Sequence, residues 1–430
     1  MENKKIVYVC NFSSEEHRSK LRLKNWGFRN GIAGLFNKAP IKYRDYGPWN
    51  EEFFKCFESD INHEYYVLYP HTGVKGAYQT YVRNGITFFA INSDIMFLRR
   101  FIRRFGEKYV DQQYKPLRAV YRTLMSKINP DLLVICGIEN PECLAAYNDE
   151  YPIYAMLQTF LNRKQNLSFS LGTDYTRKME QKYVKKLKYI GCPLQEYYDA
   201  AHELNPNAVY FKISYPSMLP PLFKITNIEY DFAFFAGSVM KNKGIEDAIQ
   251  ALGLVCKKYP KTTLNIIGKC ATDYRAVLDH IIEEKNLTDN IVFNDYFPLF
   301  KDVYRQVQKS KYVVLPSITA PFNTTVKESL HMGIPTIVYR TSVTSIVNRN
   351  GNCLIEANME DISDLADKML FAIENPLVVK EIGLNGKEYA KKNLTTEAIG
   401  SRLIESFSSI IGYTYKKEPI DTDLLYSFNQ

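Results

Sequence analysis

Apolar residues run along this chain in short continuous blocks, separated by stretches with helical spacing. In the first half KIVYVCNF, EYYVLYPH (64–71), GITFFAIN (85–92), DLLVICG (131–137) and PIYAMLQTF (152–160) have the length and make-up of buried strands. Among them KPLRAVYRTLMSKI (115–128) spaces its apolar residues for a helix and stops at Asn129-Pro130. The second half repeats the alternation. Strand YDFAFFAG leads through a turn from Ser238 to Gly244 into helix IEDAIQALGLVCKKY. Strand TLNIIG, helix YRAVLDHIIEEKN, strand NIVFNDYF, helix KDVYRQVQKS, strand YVVLPS, helix VKESLHMG and strand IPTIVYR follow.

Strands this uniformly apolar are covered on both faces, and strands alternating with helices build parallel sheets. The expected class is α/β, with two Rossmann-like doubly wound domains facing a central cleft. Residues 205–226 hold four of the nineteen prolines and have the make-up of a linker. The predicted organisation is therefore a first domain over 1–221, a second over 222–411 and a tail over 412–430.

Length and composition agree with this division. A chain of 430 residues with 46% hydrophobic and 24% charged residues is a folded protein too long for one ordinary core. The net charge of +8 suits an anionic partner. Eight cysteines are scattered without C-x-x-C spacing or nearby histidines, which excludes the common zinc patterns and points to reduced thiols. The apolar run after Met1 is too short for a signal peptide, and no stretch reaches the roughly 18–20 apolar residues of a membrane span. A cytoplasmic protein, working free or at the inner membrane face, is expected on these grounds.

Residues 311–335, KYVVLPSITAPFNTTVKESLHMGIP, carry the chemistry. They resemble the donor-binding signature of retaining glycosyltransferases with the GT-B fold, family 4 in particular, usually written P-S-x-x-E-G-F-G-x-x-x-x-E-A-x-x-x-G-x-P. Pro316, Ser317, Phe322, Glu328, Gly333 and Pro335 fall in register, whereas Ala320, Pro321 and Asn323 replace a glutamate and two glycines. A second element, Gly237-Ser238-Val239-Met240-Lys241-Asn242-Lys243-Gly244, is similar to the family's G-R-x-x-x-x-K-G, with Ser238 in place of the arginine. Asn350-Gly351-Asn352-Cys353-Leu354 is similar to its N-G-x-x-L turn. The resemblance spans about 230 to 395 and reaches the first half only by layout.

The resemblance implies roles. Lys243 would neutralise a leaving diphosphate, with Lys241 able to replace the charge that Ser238 lacks. Glu328 would accept hydrogen bonds from ribose hydroxyls, and Asn323, Thr324 and Thr325 would offer donors at a helix start. Gly237 and Phe322 belong to the same donor-binding set, and Tyr296 would stack on a base, although aromatic residues packed in the core would give the same pattern. Thr341 to Ser345 would line the phosphate site or form a plain polar loop. On the acceptor side Gln158 and Glu139 are the candidates, with Glu142 and Asp174 as alternative carboxylates. His17, Arg18, Lys20 and Arg22 would contact a phosphate or form a solvated basic loop. Phe97, Leu98, Phe101, Ile102 and Phe105, flanked by Arg99, Arg100, Arg103 and Arg104, would suit an anionic membrane surface or an ordinary core-facing helix.

The expected activity is transfer of a sugar from a nucleotide-diphosphate donor to a glycan or lipid-linked saccharide, with retention and without a metal or cofactor, as in surface polysaccharide biosynthesis. A sugar-nucleotide epimerase and a non-catalytic scaffold of the same fold are the alternatives. No nucleic-acid partner is expected.

Overall fold

A computed structural model describes residues 3–25, 43–94, 111–217, 219–294, 297–319 and 322–426. The chain forms two compact units: Met1–Pro216 together with Ile399–Gln430, and Ser217–Ala398.

The first unit is built on eight strands: β1 (Lys4–Val9), β2 (His63–His71), β3 (Tyr78–Arg83), β4 (Ile86–Asn92), β5 (Leu132–Cys136), β6 (Ile153–Met156), β7 (Tyr189–Cys192) and β8 (Val209–Lys212). They lie in the order β3-β4-β2-β1-β5-β6-β7-β8, and all pairs are parallel except β3 with β4. Period-two alternation sends successive residues to opposite faces. Val7, Val9, Leu133 and Ile135 meet Leu124 and Met125 of the helix Lys115–Ile128 on one side. Ile6, Tyr8, Leu132 and Val134 meet Phe53, Phe54 and Phe57 of the helix Trp49–Ser59 on the other. Many of the chain's aromatic residues are thus core: Phe57 stacks on Tyr65 with ring centroids 4.4 Å apart.

The five strands expected in this half are present, and three further ones are not in the sequence reading. β3 is half exposed, and its signal is the Asn84-Gly85 turn, with φ of 47° and 83°, which closes a two-residue hairpin into β4. β7 is only four residues long and β8 lies inside the expected linker, so the division falls at Pro216 rather than 221.

The expected boundary at 411 and the expected tail are also corrected. Helix Thr396–Lys416 belongs largely to the first unit, because Leu403, Phe407, Ile410 and Ile411 cover the face of its sheet. The Phe407 ring lies 6.1 Å from both Phe57 and Tyr154. Beyond it Leu424 is buried, Leu425 bridges to Phe211, and Tyr426 Oη donates to the Cys192 carbonyl at 3.1 Å.

The second unit has six parallel strands: β9 (Tyr230–Val239), β10 (Leu264–Cys270), β11 (Ile291–Asn294), β12 (Ser310–Leu315), β13 (Thr336–Tyr339) and β14 (Ile355–Ala357). Their order is β11-β10-β9-β12-β13-β14, so the direction of winding reverses between β9 and β12. In such sheets ligands bind beyond the carboxyl ends of the strands at this switch point. The basic amphipathic segment over Phe97–Phe105 and the base-stacking candidate Tyr296 lie outside the described residues. Among the described residues, no helix is long and apolar enough to cross a membrane, and five of the eight cysteines are buried.

Phe407→Ala should remove about 3–5 kcal/mol from the first unit through the cavity it leaves. Chemical denaturation followed by first-unit fluorescence or hydrogen exchange checks this; an unchanged midpoint would mean that the helix does not cover the sheet.

Candidate functional site

The switch point of the second unit is stitched together by two chain segments. After β9 the chain turns through Lys241–Lys243 to Gly244, whose φ is +78°, and enters the helix Ile245–Cys256. A Cβ on Gly244 would fall 1.9 Å from the Pro316 carbonyl oxygen, so only glycine allows this turn to rest on the end of β12. The Asn242 carbonyl accepts from Ile318 N at 3.1 Å and Thr319 N at 3.4 Å, and Asn242 Nδ2 donates to Thr319 Oγ1 at 3.0 Å. The two motif fragments read from the sequence, Lys243-Gly244 and Pro316-Ser317, are therefore one structure.

Lys243 follows the stitch. Burial holds its ammonium below the ordinary lysine pKa, and no carboxylate among the described residues forms an ion pair with it. Lys241 is exposed and reaches Glu246 Oε2 at 3.4 Å, a surface pair of the kind worth roughly 0–1 kcal/mol. Gly237 and Ser238 are exposed, and the space where a Gly237 Cβ would sit is open. Ser238 belongs to β9 rather than to the expected turn, because a bulge at Ala236-Gly237, opposite Gly268, lets the strand continue to Val239.

The second wall is the helix Thr324–Met332. Asn323 caps it: its Oδ1 accepts from Val326 N at 3.2 Å and from Thr325 Oγ1 at 2.5 Å. This explains how asparagine replaces the family's glycine, and it leaves the N–H groups of the first turn, at Thr324 and Thr325, without helical partners. Phe322 packs against the core and lies 5.6 Å from Lys327 Nζ. Ala320 and Pro321 lie outside the described residues.

Glu328 is buried one turn into the helix, where Tyr304 Oη donates to its Oε1 at 2.8 Å. Burial raises its carboxyl pKa to about 8. Next to it Lys327 is also buried, and burial lowers its ammonium to about 8. Two residues were thus missed by sequence reasoning. Lys327 had only its place beside Glu328 as a signal, and Tyr304, on the helix Phe300–Val307, had none. His331 is buried and held neutral, its pKa lowered to about 4, which fits a structural role.

Other candidates prove structural. Thr341 caps the helix Ser342–Gly351 in a capping box with Thr344, and Thr344 and Ser345 donate to Glu356, so these hydroxyls serve the fold rather than a phosphate. Phe297, the neighbour of Tyr296 and the other aromatic that the sequence offers for stacking on a base, packs on the core. His17 is buried and pairs with Glu51 at 3.1 Å, and Arg18 pairs with Asp45 at 2.8 Å, so these two side chains are engaged within the fold rather than in a solvated loop. Asp174 is an exposed partner of Arg177.

In the first unit Glu139 and Gln158 do come together, at the carboxyl ends of β5 and β6. With the Gln158 amide oriented by its neighbours, Nε2 donates to Glu139 Oε1 at 3.0 Å and Oε1 accepts from Trp49 Nε1 at 3.2 Å. Burial lifts the Glu139 carboxyl to about 8, so it is largely protonated at neutral pH. Among the described residues no three His, Cys, Asp or Glu side chains gather as a metal would require.

The high pKa of Glu328 gives a signed prediction. Ribose hydroxyls donating to this carboxyl would favour its ionised form and lower its pKa, so binding would release a proton. With uridine diphosphate as the probe, affinity should climb roughly ten-fold between pH 6.5 and 8.5. Titration calorimetry should show the slope vanish in Glu328→Gln; an equal slope in both proteins would exclude Glu328 from the contact.

Comparison with known proteins agrees with this geometry. Residues 222–392 match the family model for glycosyl transferases group 1. An uncharacterized glycosyltransferase of Haemophilus influenzae is 23% identical over 202 residues, which is 46% of this chain and 54% of the relative. The chain spans about half the length of the curated relatives it matches. Among solved structures, sucrose-phosphate synthase from Thermosynechococcus elongatus superposes with a TM-score of 0.70 at 12% identity, covering 95% of this chain and 100% of that one. The Anabaena protein HepE, solved in complex with UDP and glucose, superposes at 0.63 with 15% identity, covering 95% and 100%. The fold is that of the GT-B glycosyltransferases, and the unit that holds the stitched switch point carries the match to group 1.

Proposed function

We propose that this protein transfers a sugar from a nucleoside-diphosphate donor to a hydroxyl of a glycan or lipid-linked saccharide, with retention at the anomeric carbon. The observation that carries the reading is the junction of the Lys243-Gly244 turn with the loop that leads to the Glu328 helix. Lys243 and the free N–H groups of that helix then face the kind of ligand whose charge grows as it leaves.

In the reaction the bond from C1 of the sugar to the diphosphate oxygen breaks, and a bond from C1 to the acceptor oxygen forms. The acceptor proton passes to the departing phosphate, so no separate side-chain base is needed. Negative charge on the diphosphate increases along this path. A lysine whose charge is disfavoured by burial gains most from that increase, which makes its contribution larger in the transition state than in the ground state. Glu328, held by Tyr304, orients the ribose, and Lys327 adds positive charge on the same helix. Lysine and helix dipole together supply the neutralisation that a divalent cation provides elsewhere, so the reaction is assigned as metal-independent.

Release of UDP from a panel of UDP-sugars, with glycan or lipid-linked acceptors present, tests the reading. Lys243→Ala should lower kcat/KM by roughly 100-fold or more, Glu328→Ala should act mainly on KM, and a chelator should leave the rate unchanged. Unaltered kinetics in both variants would exclude this site. Turnover of the sugar nucleotide without any acceptor would favour an epimerase.

A further inference from the structure

A cavity lies in the first unit, at the carboxyl ends of β1, β2, β4 and β5. It encloses about 550 Å³, within the range of roughly 300–1,000 Å³ typical of small-molecule sites. Its wall combines the rings of Tyr43 and His71, which stack at 5.8 Å and 29°, with the amides of Asn11 and Asn140 and the hydroxyls of Thr72 and Ser93. Ring surface beside several neutral donors and acceptors matches a sugar, whose C–H faces are apolar and whose rim is hydroxyl.

The charges around this wall are already compensated. Arg18 Nη1 donates to Ser13 Oγ at 2.7 Å while Arg18 pairs with Asp45, and Lys24 pairs with Asp94 at 3.0 Å. Ser13 Oγ lies 3.2 Å from His71 Nε2. Since Arg18 takes a lone pair of Ser13, the serine hydroxyl is free to donate to Nε2, and the imidazole N–H is then at Nδ1. Burial lowers the His71 pKa to about 4, so the ring is neutral at working pH. At the rim Arg44 and Glu142 oppose each other in sign. Among the described residues, the lining thus carries no net charge.

The cavity also adjoins the Glu139 cluster. Asn140 lines it, and Asn140 Nδ2 donates to Glu139 Oε1 at 3.3 Å. Gly137, with φ of +83°, makes room: a Cβ there would come within 2.9 Å of the Gln158 side-chain amide.

We propose that this cavity binds an uncharged sugar ring of the acceptor, with Asn11 and Asn140 as its polar contacts and the rings of Tyr43 and His71 as its apolar face. The proposal rests on the sugar-transfer reading. It adds that the acceptor moiety held here is a neutral glycosyl unit rather than a phosphate or uronate.

Saturation-transfer NMR on the full chain tests it, with methyl glucosides, methyl galactoside and methyl N-acetylglucosaminide as neutral probes and glucose 6-phosphate and glucuronate as charged ones. At least one neutral glycoside should respond and the charged probes should not. Thr72→Trp, which fills the cavity from an exposed position, and Asn11→Ala should each reduce the response at least five-fold, with melting temperature and UDP binding unchanged. A response from no neutral glycoside, an equal response from the charged probes, or full binding by both variants would overturn the proposal. If UDP binds while the glycosides fail, this inference alone falls; if UDP also fails, the transfer reading falls with it.

Discussion

The contact between Gly244 and the Pro316 carbonyl sets the second unit's site. The turn after β9 and the loop after β12 come from segments more than seventy residues apart, and each is too irregular to hold its shape alone. They are held because the backbone of Asn242 accepts two N–H groups from Ile318 and Thr319, and because no side chain separates the chains at Gly244. A buried loop must satisfy its polar groups somewhere, and here each loop satisfies the other. Lys243 and the helix of Glu328 take their positions from that exchange.

The site then keeps charged groups where water is scarce. Lys243, Lys327 and Glu328 are all shifted toward their neutral forms by burial. An arrangement of this kind does little for stability, since ionised groups without solvent are costly. It is well suited to a ligand that carries its own charge and hydroxyls, because the ligand restores what folding withheld. The hydrogen bond from Tyr304 fixes Glu328 in place and leaves its second oxygen for such a partner.

Much of the fold was legible in the sequence because continuous apolar strands and capped helices are local signals. Five apolar segments in the second half gave the strand alternation, the short β14 alone escaping it, and Gly-x-Pro at 333–335 marked a helix end that the structure places at Gly333, with φ of +72°. What was not legible depends on distance in the chain. The return of helix Thr396–Lys416 to the first unit follows from which sheet face lacks a cover, and no local pattern states that. Ser238 was placed in a turn because Gly237 reads as a strand end, whereas pairing with Lys269 and Cys270 of the neighbouring strand carries β9 on through a bulge. Tyr304 is bound to Glu328 across twenty-four positions, and His17 and Arg18, basic on paper, are neutralised by Glu51 and Asp45. Motif register found the site's frame, while the partners that tune it needed the structure.

Hydrogen exchange on addition of UDP examines the central claim directly, since it reports on individual amides without requiring an acceptor. Protection concentrated in 240–245 and 322–328, lost in Lys243→Ala, is the predicted result. Protection elsewhere, with these two segments exchanging as in the free protein, would contradict the account.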